Sequence, residues 1–130
     1  MKEIDLIKLA FDVLKNSYSP YSDFRVGAAL LTDRGNCYTG VNIENASYGA
    51  TNCAERTAVF KAVCEGERKI RMIAIASDGE EYIYPCGICR QVLAEFGDEE
   101  MSIICTKKNG NYRTHKLGEL LPDAFKKMEE

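Results

Sequence analysis

Three cysteines place the tightest condition on how this chain folds. Cys53 opens one predicted helix, and Cys86 and Cys89 open another 33 positions further on. Residues three apart share one helical face, so Cys86 and Cys89 can hold a single ion between them. Helix N-termini carry free N–H groups and partial positive charge. Both lower thiol pKa and favour the thiolate that binds metal. Three thiolates on one ion therefore require two helix starts to meet at one point.

The 130 residues contain six cysteines in all. Three disulfides would suit a short secreted chain, but the start MKEIDLIKLAF lacks the apolar core and cleavage site of a secretory signal. Clustered cysteines in a cytosolic chain are more often metal ligands or nucleophiles. Cys37, Cys64 and Cys105 sit singly in apolar-rich segments and read as packing. The longest apolar run, Val26 to Leu31, is too short to span a bilayer, so no membrane partner is expected. With 17 Lys+Arg against 20 Asp+Glu, the charge argues against nucleic acid as the main partner. Length and composition favour one domain covering residues 1–130.

Apolar residues at Ile4, Ile7, Phe11, Leu14 and Tyr18, widened by Leu6, Ala10 and Val13, predict an amphipathic helix of about three turns, stopped by Ser19-Pro20. Phe24 to Leu31 and Cys37 to Ile43 read as strands joined by the turn Asp33-Arg34-Gly35-Asn36. Thr51-Asn52 offers capping side chains for a helix from Cys53 to Glu65, ended by Gly66. Arg71 to Ala76 reads as a buried strand. Pro85 suits the first turn of a helix running to about Phe96. Ser102 to Thr106 and Tyr112 to Lys116 follow as strands, and Leu117 to Leu121 as a short helical turn. The fold class is α/β: a three-layer α/β/α arrangement with a mixed sheet of about five strands, an N-terminal β-hairpin, then β-α-β crossovers.

Three thiolates leave a fourth position on Zn²⁺ for water, whereas a closed structural site has four protein ligands. His115, the only histidine, lies far along the chain in a weak strand and reads as an edge-strand side chain. Glu55, two residues after Cys53, can reach back toward the metal and act as general base and acid. Asn52-x-x-Glu55 also fits a helix-capping pattern; the surrounding cysteines favour the catalytic role. Arg56 lies on the side of Cys53 and can donate to a thiolate, offsetting the net −1 of three thiolates on Zn²⁺. Arg90 can do the same or remain a surface arginine. C-x-E followed some thirty residues later by P-C-x-x-C is the signature of zinc-dependent deaminases.

Over nearly its whole length the chain resembles the small homotetrameric cytidine deaminases. The matching stretches are Tyr18 to Leu30, Gly40 to Tyr48, Asn52 to Ala58 and Pro85 to Leu93, with Leu120 to Phe125 similar to the family's C-terminal motif. The resemblance implies one Zn²⁺ per chain on Cys53, Cys86 and Cys89. Glu55 would shuttle protons to N3 and to departing ammonia as activated water adds to C4 of cytosine. Asn42 and Glu44 would bind ribose hydroxyls, and Phe24 would pack against the pyrimidine. Ala54 would offer its N–H to the base carbonyl, and Ala46 would line the site. Tyr48 and Phe125 would reach into a neighbouring subunit's site, so the implied homotetramer shares its active sites. Without the family, Phe24 and Phe125 read as core aromatics.

The implied function is deamination of cytidine and 2′-deoxycytidine to uridine and deoxyuridine in cytoplasmic pyrimidine salvage. Two alternatives stand beside it: a deaminase of another nucleoside, such as a blasticidin-type antibiotic, and a non-catalytic zinc-binding module.

Overall fold

The computed structural model describes residues 1–125; residues 126–130 of the expected single domain lie outside the described part. Its elements are α1 (Glu3–Asp12), β1 (Val26–Thr32), β2 (Cys37–Val41), α2 (Ala54–Cys64), β3 (Ile70–Ser77), α3 (Gly87–Phe96), β4 (Ser102–Thr106), β5 (Tyr112–Lys116) and α4 (Leu117–Leu120). Short 3-10 turns occupy Leu14–Asn16 and Tyr48–Ala50. No described helix is long and apolar enough to cross a membrane.

The five strands form one sheet in the order β2-β1-β3-β4-β5. β1 lies antiparallel to both β2 and β3, β3 parallel to β4, and β4 antiparallel to β5. Gly35, at φ +85, makes the tight turn of the β1–β2 hairpin. The segments β2-α2-β3 and β3-α3-β4 are the two crossovers, and helices cover both faces of the sheet. β1 is buried at all seven positions, as expected of a strand covered on both sides. Its Ala28 and Leu30 join the core beneath α2 and α3, with Ile73, Ile75, Leu93 and Ile103. Its Ala29 and Leu31 join the core beneath α1, with Leu6, Ile7 and Ala10. Each fully buried leucine or isoleucine there contributes on the order of 2 kcal/mol.

The apolar stripe of α1 differs from the expected one. Leu6 and Ala10 are fully buried, while Ile4 and Tyr18 are exposed. The helix stops at Asp12, so Tyr18 lies outside it, bridged to Ile43. The sheet surface facing α1 carries Ala29, Ala74 and Ala76 beside Leu31 and Ile104, and the arc of Leu6, Ile7 and Ala10 packs on it. Ile4 is turned to its edge. Cys105 is packed as expected, and burial pushes its thiol up to about 12. Cys37 is half-buried beside Met1, but Cys64 is exposed, because it falls at the outer end of α2.

One end of the sheet gathers the functional parts. The antiparallel register sets Val26, at the start of β1, opposite Ser77, at the end of β3, and Gly27 opposite Val41, at the end of β2. The loops into α2 and α3 leave from this same end, where parallel strands direct their carboxyl termini. Gly40 lets α2 approach: a Cβ there would lie 2.6 Å from the Ala54 carbonyl oxygen and 2.9 Å from Thr57 Cβ. The first turn of α2 therefore rests on the backbone of β2.

Candidate active site and metal centre

Cys53 and Cys86 are the N-cap residues of α2 and α3, both with extended backbone (φ −74, ψ 155 and φ −66, ψ 169). Cys89 lies in the first turn of α3. The three sulfur atoms lie within 4.8 Å of one another, and Sγ of Cys53 and Sγ of Cys86 are 3.8 Å apart. Tetrahedral zinc with Zn–S bonds of about 2.3 Å requires S···S separations near 3.8 Å. A disulfide needs about 2.05 Å, and all six cysteines are free. The donor set thus fits zinc. Among the described residues no further His, Cys, Asp or Glu joins this cluster, so it is a three-ligand site. His115 is half-buried on the edge strand β5, its ring beside Tyr84.

Local hydrogen bonds orient these thiols. The backbone N–H of Cys89 donates to Sγ of Cys86 at 3.4 Å, and Nη2 of Arg56 donates to Sγ of Cys53 at 3.3 Å. Cys53 is pulled down to about 5, chiefly by its hydrogen bond with Cys89 and further by donation from Arg56 and Cys86, against the effect of burial. Cys89 is pushed far above the ordinary thiol range by that same bond, by burial and by the charge of Glu55.

Glu55 is only 4% exposed. Burial pushes its carboxyl up to about 7; the Cys53 thiolate adds to the rise, while its own backbone N–H and Arg56 oppose it. It occupies the second position of α2, one short of the position from which a capping box closes. The expected caps are spent elsewhere: Nδ2 of Asn52 donates to Oγ1 of Thr57 at 3.0 Å, and Oγ1 of Thr51 accepts from the Asn45 N–H at 3.2 Å. The Glu55 carboxyl lies close enough to the Cys53 and Cys89 thiols to feel both. Ala54, fully buried at the first helical position, has an N–H with no acceptor inside the helix.

Arg90 takes neither of its two readings, a thiolate partner or a free surface arginine: it is half-buried and bound to carbonyl oxygens. Its Nε donates to the Pro85 carbonyl at 2.8 Å and its Nη1 to the Leu120 carbonyl at 2.8 Å. It is held this way because it lies one position past Cys89, turned from the thiol cluster toward the C-terminal segment.

Asn42 and Glu44 leave the end of β2 beside this site. Asn42 is buried; its Nδ2 donates to the Phe24 carbonyl at 2.8 Å, and its Oδ1 accepts from the Val26 N–H at 2.9 Å and from the Ser17 hydroxyl. Glu44 accepts the Tyr21 N–H at 2.9 Å, the Ser22 N–H at 3.1 Å and the Ser22 hydroxyl. Each still has hydrogen-bonding capacity in reserve: one N–H of Asn42 and further lone pairs of Glu44. Phe24 is half-buried against Gly79 and the core. Ala46 and Tyr48 lie exposed on the loop between β2 and α2, with Tyr48 edge-on to Tyr21 at 6.2 Å. Phe125 is exposed at the end of the described chain, and its carbonyl accepts from Nε2 of Gln91 at 2.7 Å. Ser17, Ser22 and Gln91 escaped the sequence reading. Their signal, a polar residue flanking each motif, is too common to single them out.

Comparison with known proteins agrees with this geometry. The pattern defining the cytidine and deoxycytidylate deaminase zinc-binding region matches residues 1–105. A cytidine deaminase of Sporosarcina psychrophila is 49% identical over 115 residues, which are 88% of this chain and 85% of that relative. A cytidine deaminase of Halalkalibacterium halodurans is 48% identical over 92% of this chain and 91% of its own. The crystal structure of cytidine deaminase from Burkholderia pseudomallei superposes with a TM-score of 0.92 at 45% identity, covering 96% of this chain and 100% of that one. That from Mycobacterium tuberculosis gives 0.84 at 40% identity, over 96% and 98%.

Fold and site together define a zinc-dependent hydrolase of carbon–nitrogen bonds. The chain belongs to the cytidine and deoxycytidylate deaminase family.

Proposed function

We propose that the chain hydrolyses cytidine and 2′-deoxycytidine to uridine and deoxyuridine with release of ammonia, with Cys53, Cys86 and Cys89 holding zinc and Glu55 moving the protons. The observation that carries this reading is the buried carboxyl of Glu55 beside a three-thiol cluster at which two helix N-termini converge. A purely structural zinc would call for a fourth protein ligand, and the cluster has three.

Zinc supplies, when bound, the Lewis acidity that makes water a nucleophile near neutral pH. Glu55 does the proton work. It takes a proton from the attacking water and delivers it to N3 as the C4–O bond forms. It then passes the water's second proton to the 4-amino group as the C4–N bond breaks and ammonia leaves. A carboxyl with its pKa near the working pH suits both directions of transfer.

The Ala54 N–H points a free donor at the base carbonyl, and Phe24 supplies an apolar surface for the pyrimidine. Asn42 and Glu44 meet the sugar hydroxyls with their remaining capacity, and Ala46 lines the approach. Arg56 balances the thiolate charge. Tyr48 and Phe125, 77% and 79% exposed, are large rings that a lone chain leaves in water. Their exposure supports a homotetramer in which they complete a neighbour's site. The setting is cytoplasmic pyrimidine salvage. A panel of cytidine, deoxycytidine and a blasticidin-type nucleoside, followed by ammonia release, tests the substrate. Turnover of the first two supports the reading; turnover of the antibiotic alone overturns it.

A further inference from the structure

We propose that Arg90 is a positioning residue of the metal site, clamping the peptide that presents Cys86 to the C-terminal segment 120–125. The inference rests on the reading that the three thiols hold zinc.

The carbonyl that accepts from Nε of Arg90 belongs to the peptide joining Pro85 to Cys86. Fixing that peptide plane fixes the direction in which the Cys86 side chain leaves the backbone. From the same guanidinium, Nη1 reaches the Leu120 carbonyl at the end of α4. The fork is rigid and planar, so both acceptors are held in one fixed relation. A lysine has a single donor centre and cannot reproduce it.

The segment on the other side of the clamp is itself firmly placed. Leu120, Leu121 and Ala124 pack on the core that includes Leu93 and Ala94 of α3. Asp123 has φ +55, in the left-handed region, and turns the chain back. Past this reversal, Nε2 of Gln91 donates to the Phe125 carbonyl at 2.7 Å. Two successive residues of α3, both directly after Cys89, thus bind the two ends of the segment. Arg90 alone also reaches the metal-ligand peptide. One side chain thus couples the docking of the C-terminal segment to the geometry of the Cys86 peptide.

The test is zinc release to a colorimetric chelator from the zinc-loaded wild type, Arg90→Gln and Arg90→Lys. Each is followed at the same interval below its own melting temperature, which removes a general loss of stability from the comparison. Arg90→Gln is expected to release zinc about 10- to 100-fold faster than wild type, the range typical of lost ligand-orienting partners. Arg90→Lys should fall between the two. Release from Arg90→Gln at the wild-type rate, with only its melting temperature lowered, overturns the proposal and leaves Arg90 a structural strut. Where Arg90→Gln fails to fold, Arg90→Lys decides: faster release supports the clamp, and wild-type release overturns it. A wild-type chain that takes up no zinc overturns the metal reading, and the clamp with it.

Discussion

Nη2 of Arg56 lies 3.3 Å from Sγ of Cys53, three residues back across the first turn of α2. Three thiolates on one Zn²⁺ carry a net charge of −1, which works against the acidification of water. The guanidinium returns part of that charge through one hydrogen bond. Replacing it by Arg56→Gln should cost about 10- to 100-fold in kcat or in zinc affinity. Chelator competition and steady-state kinetics on the same preparation separate the two losses. Unchanged values of both would show that Arg56 does not serve the metal.

Glu67 gives the fold an acid-sensitive joint away from the site. It is 1% exposed and accepts from Nδ2 of Asn36 at 2.6 Å and from the Tyr38 hydroxyl at 3.2 Å, tying the β1–β2 hairpin to the turn after α2. The Asn36 hydrogen bond is the main cause that holds its carboxyl below the usual range, helped by Thr32 and Tyr38 and opposed by burial. A folded pKa below the unfolded value of about 4.3 means stabilisation that is fully present above pH ~4.3. It is lost as pH falls through the folded value. The stability gap between wild type and Glu67→Gln should therefore be widest near neutrality and close in acid. Urea unfolding across pH 7 to 3 measures it; a gap that widens in acid contradicts the assignment.

Gly40 sets how closely the metal-bearing helix approaches the sheet. Gly40→Ala would drive a Cβ against the Ala54 carbonyl and Thr57. The neighbouring atoms are backbone and the stem of a β-branched residue, so relief requires moving α2. Overpacking of this kind costs about 1–3 kcal/mol. Zinc content should fall with it, because Cys53 precedes Ala54 directly. Thermal unfolding and metal analysis of the variant measure both, and wild-type values for both would refute the close-approach argument.

The proposed sharing of active sites between subunits predicts a dependence on concentration. With Tyr48 and Phe125 exposed on the single chain, dilution below the range in which the assembly holds together should lower specific activity. Sedimentation and activity measured over the same dilution series check it. A fully active monomer would contradict the shared site.

The succession of strands and helices along the chain and the metal cluster were legible in the sequence for physical reasons that differ; the order of strands across the sheet was not read from it. The turn Asp33 to Asn36 and the run of β1 carry strong local signals, and the structure has both. Cys53, Cys86 and Cys89 were legible because few chemistries use thiols at two helix starts. The buried face of α1 was not, since Leu6 and Ile4 are equally apolar and only the packing against the sheet chooses between them. Nor was the fate of Arg90: its distance in sequence from Leu120 hides a contact that the tail makes by folding back over α3. The internal bonds of Asn42 and Glu44 with Ser17 and Ser22 depend likewise on the loop geometry at the end of β2.

In the proposed reaction Glu55 moves protons at a metal held by three thiols. The most direct test compares zinc-loaded wild type with Glu55→Gln, measuring zinc content, unfolding and the ultraviolet change as cytidine becomes uridine. The variant should keep about one zinc per chain and its cooperative unfolding, while turnover falls by about 10²- to 10⁴-fold, the range for loss of a general acid–base. Turnover at the wild-type rate in a folded, zinc-loaded Glu55→Gln protein would contradict a proton-transfer role for Glu55.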